Sequence, residues 1–329
     1  MSSQTIRFLS GEDVRTSLTM NQAIEAMKEA FMELSAGKAT VPPRVPIDIA
    51  QHNATALFMP VYLPSAQKIG LKVVSVFGNN PAQGLPLIHA LVMVFDGNTG
   101  CPLAVMDGEY LTALRTGAAS GLATDLLARR QADTVAIFGA GRQGRTQLEG
   151  VAAVRAIKQA YIFDPDEARA AAFAAELSGR LGLKIDVAES TDVLSEADII
   201  CTATTSADPV FLDGKLKAGV HINGVGSFKP SLCEIPPETV VRAKVVVDSI
   251  ASCMAEAGDL IMPIKRGMVT ENHIYAEIGE IAAGKKAGRS SEEEITIFKS
   301  VGNAVQDLAA AARALEIAEK LNLGIELKL

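Results

Sequence analysis

Tryptophan is absent from this 329-residue chain, and aromatic residues make up only 5% of it. So few stacking surfaces exclude a platform for single-stranded nucleic acid. No basic tract interrupts a balance of 38 acidic against 31 basic residues, net −7, which excludes a phosphate-neutralising surface. The four cysteines, Cys101, Cys201, Cys233 and Cys253, lie at least 20 residues apart. With no C-x-x-C pair and no H-E-x-x-H spacing among the four histidines, no metal site is expected. The thiols read instead as buried and free, in a reducing compartment. Met1 to Asp13 has neither a basic n-region nor a long apolar h-region. No apolar run approaches the ~18 residues that span a bilayer. A cytoplasmic protein is the expectation.

What is present is an aliphatic chain, 48% hydrophobic and 21% charged, long enough for two domains at roughly 150 residues each. Residues 19–37 predict an amphipathic helix: Thr19 and Gln22 fit a capping box, Ile24, Met27, Phe31 and Leu34 form the apolar stripe, and Gly37 can stop it. Pro42-Pro43 then forces an extended stretch. Strands are predicted at Thr55–Leu63, Ile69–Phe77, Leu87–Phe95 and Cys101–Met106, the last two joined by the turn Asp96-Gly97-Asn98-Thr99-Gly100. From Thr116 the pattern turns helical, and beyond Thr134 strands alternate with helices. The strands are Val135–Phe138, Tyr161–Phe163, Lys184–Val187, Ile199–Cys201, Val220–Asn223 and Val245–Val247. That rhythm implies a parallel sheet with crossover helices. Near residue 300 it ends, and Val301, Val305, Leu308, Ala312 and Leu315 mark one face of a final helix that returns to the N-terminal part. The fold class is therefore α/β, with a doubly wound parallel-sheet domain inserted in a split α+β domain.

Gly139-Ala140-Gly141-Arg142-Gln143-Gly144 is a G-x-G-x-x-G sequence with a β-branched strand before it and a helix-compatible run after it. Gly139 permits the tight turn, Gly141 lets backbone approach a pyrophosphate, and Gly144 lets helix pack on strand. Asp164 ends the next predicted strand, 25 residues beyond Gly139. An acid there accepts hydrogen bonds from an adenosine ribose and repels a 2′-phosphate, favouring NAD(H) over NADP(H). Thr202 and Thr204, then Val225 and Ser227, follow two later strands at the carboxyl edge, where they can line the nicotinamide side or serve as plain polar loops.

Lys72 interrupts a strand that is apolar on both faces, where a lysine is costly unless it meets an anion or gives up its proton. Arg115 stands at the junction into the nucleotide domain, and Arg44 follows the stiff Pro-Pro stretch. Two readings are open. The three cations converge on a substrate carboxylate, or Lys72 is an edge-strand gatekeeper and Arg44 a solvated loop charge.

Leu111-Thr112-Ala113-Leu114-Arg115-Thr116-Gly117-Ala118-Ala119-Ser120 closely resembles the signature of the ornithine cyclodeaminase/μ-crystallin family. So do Gly70-Leu71-Lys72-Val73-Val74, Gly84-Leu85-Pro86, the glycine loop, and Phe298-Lys299-Ser300-Val301-Gly302 with Asp307-Leu308-Ala309. The resemblance implies an NAD-binding Rossmann domain at 118–302 inside a substrate-binding and dimerisation domain of 1–117 plus 303–329, in a homodimer paired through the N-terminal sheets. It implies Arg44, Lys72 and Arg115 as ligands of a substrate carboxylate and Thr116 as a cofactor contact, and brings Phe228 and Gly302 into the substrate pocket. Cyclodeaminases of the family carry an aspartate where this chain has Phe228, and phenylalanine cannot hold a distal ammonium. The expected activity is reduction of a small α-imino acid, of the Δ1-pyrroline-2-carboxylate/ketimine reductase or alanine dehydrogenase type. Ornithine cyclodeamination and a non-enzymatic ligand carrier of μ-crystallin type are the alternatives.

Overall fold

The structure is a computed structural model that describes residues 5–329. The first stretch of chain comprises β1 (Thr5–Leu9), α1 (Gly11–Ser17), α2 (Met20–Ser35), β2 (Val45–Ile49), β3 (Ala54–Leu63), β4 (Lys68–Phe77), β5 (Ile88–Asp96) and β6 (Pro102–Asp107). Then α3 (Gly108–Leu127) leads to β7 (Thr134–Phe138), α4 (Arg142–Val154), β8 (Gln159–Phe163), α5 (Glu167–Leu181), β9 (Lys184–Val187), β10 (Ile199–Thr202) and β11 (His221–Gly224). There follow α6 (Pro237–Arg242), β12 (Lys244–Val247), α7 (Ile250–Glu256), α8 (Gly258–Lys265), β13 (Ile274–Glu277), α9 (Ile278–Ala282) and β14 (Thr296–Lys299). The chain closes with α10 (Ala304–Leu321) and β15 (Ile325–Lys328).

Two compact units result. One runs to Arg115 and takes in Ala304–Leu329; the other is Thr116–Asn303. In the first, seven strands form one sheet in the order β15-β1-β6-β5-β4-β3-β2, antiparallel except where β1 lies beside β6. Both ends of the described chain are thus stitched into this sheet, since β1 pairs with β15. Helix α2 is capped as its sequence predicts: Thr19 and Gln22 exchange side-chain and backbone hydrogen bonds. It packs with α10 in the same unit, and α10 lies on β3, β4 and β5. Gly70 makes that approach close, because a Cβ there would come within 2.9 Å of Leu308.

In the second unit eight strands, all parallel, run β13-β12-β14-β11-β10-β7-β8-β9. The order reverses between β7 and β10, the switch point of a doubly wound sheet. The central strands are apolar on both faces, as TVAIF of β7 requires when helices cover a sheet twice.

Several expectations need correction. Helix α3 starts at Gly108 rather than near Thr116, because Leu111-Thr112-Ala113-Leu114 is good helix sequence and Asp107 accepts the Tyr110 N–H at its start. Val301 precedes α10 and does not share its face: Gly302, with φ +80°, breaks the chain between β14 and the helix. Cys101 is exposed in the β5–β6 turn, while the other three thiols are buried. Strands β1, β2, β13, β14 and β15 are additions to the predicted set.

Candidate active site

In the first unit, β4 has β3 on one side and β5 on the other. The edge-strand reading of Lys72 therefore fails. Side chains alternate across a strand, so Lys72 shares a face with Gly70, the face on which α10 rests. Its ammonium is 3.0 Å from each carboxylate oxygen of Asp307 on α10. Arg115 Nε donates to the same carboxylate at 3.0 Å, and its Nη1 donates to Gln306 Oε1 at 2.8 Å. Thr112, one turn before Arg115 on α3, lies 3.5 Å from Lys72 Nζ. Arg44, half-buried just before β2, is near enough to act on Lys72 electrostatically. The structure thus brings Lys72 and Arg115 together on one buried acid, with Arg44 close enough to Lys72 to act on its charge.

Lys72 is 4% exposed. Burial pushes its ammonium down to about 8, with Arg115 and Arg44 acting in the same direction and Asp307 opposing. Two buried cations on one carboxylate, with Arg44 acting on Lys72 from nearby, leave an excess of positive charge, the electrostatics of an anion site. The sequence marks Asp307 only as part of the family-like run Asp307-Leu308-Ala309 and as an acid set within the apolar stripe of α10; its pairing with Lys72 and Arg115 has no signal there.

In the second unit the glycine loop has the form its sequence implies. Gly139 has φ +102°, and a Cβ on it would lie 2.6 Å from the Ala203 carbonyl. A Cβ on Gly144 would overlap the Gly139 carbonyl, so only glycine permits α4 to pack there. Gly141 has open space about it and caps α4 without a side-chain hydrogen bond. The helix start thereby keeps N–H groups for an anion. Ala140 N–H donates to Asp164 at 2.8 Å. Arg142 is exposed and Gln143 half-buried on the first turn.

Asp164 ends β8's extension and also accepts from Asp166 N–H and from Arg169 Nη2 at 2.8 Å. Burial raises its carboxyl, but these hydrogen bonds outweigh it and hold Asp164 below the usual carboxylate range. The loop and acid fit a dinucleotide: an uncapped helix start faces open space beside Gly141, and an ionised acid stands at the next strand end.

The later loops divide. Thr204 and Val225 are half-buried at the carboxyl ends of β10 and β11. Thr202 and Ser227 are wholly buried. Thr202 Oγ1 donates to Glu234 and Ser227 Oγ to the Leu232 carbonyl, so these two side chains prop the loops instead of lining them. Phe228 is 44% exposed. Gly302 N–H donates to the buried Asp248 at 2.9 Å. Thr116 is buried on α3, beside Arg115.

The sequence pattern of the ornithine cyclodeaminase/mu-crystallin family matches residues 5–321. The chain belongs to that family. Among its members, the Δ1-pyrroline-2-carboxylate reductase of Bacillus thuringiensis subsp. konkukian is 42% identical over 318 residues, covering 96% of this chain and 98% of the relative. The structure of Thermococcus litoralis Δ1-pyrroline-2-carboxylate reductase in complex with NADH and L-proline superposes with TM-score 0.93 at 43% identity, over 97% of this chain and 99% of that one. An archaeal alanine dehydrogenase dimer with bound NAD gives TM-score 0.91 at 35% identity, over 99% of this chain and 100% of that one.

Proposed function

We propose that this protein is an NAD(H)-dependent oxidoreductase acting on C–N bonds. Its reaction is the reduction of a small α-imino acid, Δ1-pyrroline-2-carboxylate in the first instance, to an L-amino acid. The observation that carries the reading is the pairing of Lys72 and Arg115 with Asp307, with Arg44 acting on Lys72 from nearby, in a chain so similar to reductases of that imine.

Arg44 and Arg115 would bind the substrate carboxylate, an arginine fork matching its two oxygens. Holding that end fixes the C=N bond in one orientation and removes most of the entropy cost of reaction. Lys72 then holds a proton at Nζ with a pKa close to working pH, which suits donation to the imine nitrogen. Asp307 keeps that ammonium and the Arg115 guanidinium in place. Gly139–Gly144 and Asp164 would hold the cofactor, with Thr116, Thr204 and Val225 as further contacts. Bound NADH supplies the hydride. Phe228 and Gly302 would belong to the substrate pocket, where an apolar ring suits a pyrroline better than a distal ammonium.

The protein acts as a homodimer in this reading. The face of the mixed sheet opposite Lys72 carries Val45, Phe58, Val73 and Leu91 in register across β2, β3, β4 and β5. Val45 and Leu91 are 54% and 48% exposed, with Ile47 beside them at 50%, an apolar surface suited to a second copy. No helix of the described residues is long and apolar enough to cross a membrane, and the cytoplasm is the proposed location.

The test supplies NADH with Δ1-pyrroline-2-carboxylate, and separately with pyruvate and ammonia, while nicotinamide absorbance is followed. Oxidation with the cyclic imine is expected. No oxidation with either, together with release of ammonia and formation of proline from L-ornithine, would overturn the reductase reading in favour of cyclodeamination. Tight NADH binding without turnover on any imine would favour a carrier.

A further inference from the structure

Glu234 lies outside every strand and helix, in the stretch between β11 and α6, and is completely buried. Its carboxylate receives four hydrogen bonds. Thr202 Oγ1 donates at 3.0 Å and Thr204 N–H at 2.6 Å, both from the end of β10. Gly226 N–H and Ser227 N–H donate at 2.8 and 3.0 Å, both from the loop after β11. Three of the four fall on Oε2 and one on Oε1, all donated to the acid, and they work against the burial that raises its carboxyl. The strands concerned are neighbours, Thr202 pairing in register with Gly224, so one side chain fastens two adjacent strand-end loops.

The surroundings are built for this. Asp259 holds the Glu234 and Ile235 N–H groups at 2.6 and 3.0 Å. Its other oxygen pairs with Lys299 at 2.8 Å, both side chains fully buried, which supplies a compensating charge behind the carboxylate. Gly226 must be glycine, since a Cβ there would sit 2.5 Å from Glu234 Oε1. Ala203, between the two threonines, has its carbonyl against Gly139. The loop that Glu234 anchors therefore also abuts the first glycine of the phosphate turn.

We propose that Glu234 is a positioning residue for the nicotinamide half of the cofactor, fixing the loops after β10 and β11 on that side of the switch point. The assignment rests on the NAD(H) reading above. In a doubly wound sheet the adenosine half lies toward the acid that ends the second strand, here Asp164, and the other half toward the strands past the reversal, here β10 and β11. Glu234 serves the second half and is remote in its bonding from the first: none of its hydrogen bonds involves Gly141, Arg142 or Asp164.

Full-length Glu234→Gln tests this, because it keeps the shape while turning one acceptor into a donor that faces other donors. NADH and ADP-ribose, which lacks the nicotinamide riboside half, are each titrated calorimetrically into parent and variant. The Kd for NADH is expected to rise about tenfold or more, and that for ADP-ribose to stay within about twofold. Thr202→Val removes one of the four bonds at constant volume and should show the same split at about threefold. Equal weakening of both ligands in both variants would make Glu234 a general prop of the domain and overturn the assignment. Unchanged NADH binding in Glu234→Gln would overturn it too. A parent that binds ADP-ribose but not NADH would also refute it, and one that binds neither would refute the NAD(H) reading itself.

Discussion

Lys72 Nζ stands 3.0 Å from both carboxylate oxygens of Asp307, across 235 residues of sequence and with neither side chain open to water. The relationship explains how a lysine survives in the middle of a sheet. Its strand is interior, its face is covered by α10, and its charge is met by an acid that Arg115 also engages. Breaking such a pair from one side leaves an uncompensated charge, so the cost of removing Asp307 falls on two cations at once.

The pH dependence of turnover follows from Lys72. Burial places its titration at about 8, so it is protonated below that pH. Imine reduction consumes a proton, and kcat should be level below pH 8 and fall above it. Amino-acid oxidation needs the neutral amine and should rise through the same region. Lys72→Ala should lose at least about a hundredfold in kcat while retaining its NADH Kd. An unchanged profile in that variant would leave Lys72 without a role in proton transfer.

Asp307→Asn should lower stability by about 3 kcal/mol, read from the denaturant midpoint. Because the Asp307 charge holds the Lys72 pKa up, its loss should move the alkaline limb of the rate profile to lower pH. A limb that stays in place, in a variant that is folded and active, would separate Asp307 from the ionisation of Lys72.

Asp164→Ser should shift cofactor choice. The ionised carboxylate faces the position a ribose 2′-phosphate would take, and like charges brought together there weaken NADPH binding. Replacing it removes that repulsion and releases the Arg169 guanidinium, which now pairs with it. The NADH/NADPH ratio of kcat/KM should fall by about tenfold or more. No change in that ratio would mean that Asp164 serves the Ala140 turn alone.

Leu91→Lys combined with Val45→Lys should disrupt the proposed dimer. Two charges set in register on the apolar sheet face should raise the dimer dissociation constant at least about thirtyfold. Light scattering at micromolar concentration should then report a monomer that still binds NADH. A parent that is monomeric under those conditions would remove the dimer from the proposal.

Local chemistry was easily read in the sequence, and long-range pairing was not. The Thr19–Gln22 box, the Asp96–Gly100 hairpin and the Gly139–Gly144 turn each depend on residues a few positions apart, so their spacing carries the geometry. Strand β14 is hidden because its short apolar run ends in the charged Lys299. That lysine is tolerable there only because Asp259, 40 residues earlier, is buried against it. The partners of Glu234 and Asp307 are hidden for the same reason, because the chain brings the donors to each acid from separate elements. Lys72 stood out because a charge amid Leu71, Val73 and Val74 violates the local pattern.

The return of α10 to the first sheet also orders events in time. Thr116–Asn303 is continuous and can fold as soon as it has left the ribosome. The sheet of Lys72 cannot be finished then, because α10 and β15 have not been made. Through most of synthesis Lys72 and Arg115 have no counter-ion, and the apolar face awaiting α10 is uncovered. The cation cluster is therefore the last region to mature, and a nascent chain halted before Asp307 would hold a finished nucleotide fold and an inert substrate side.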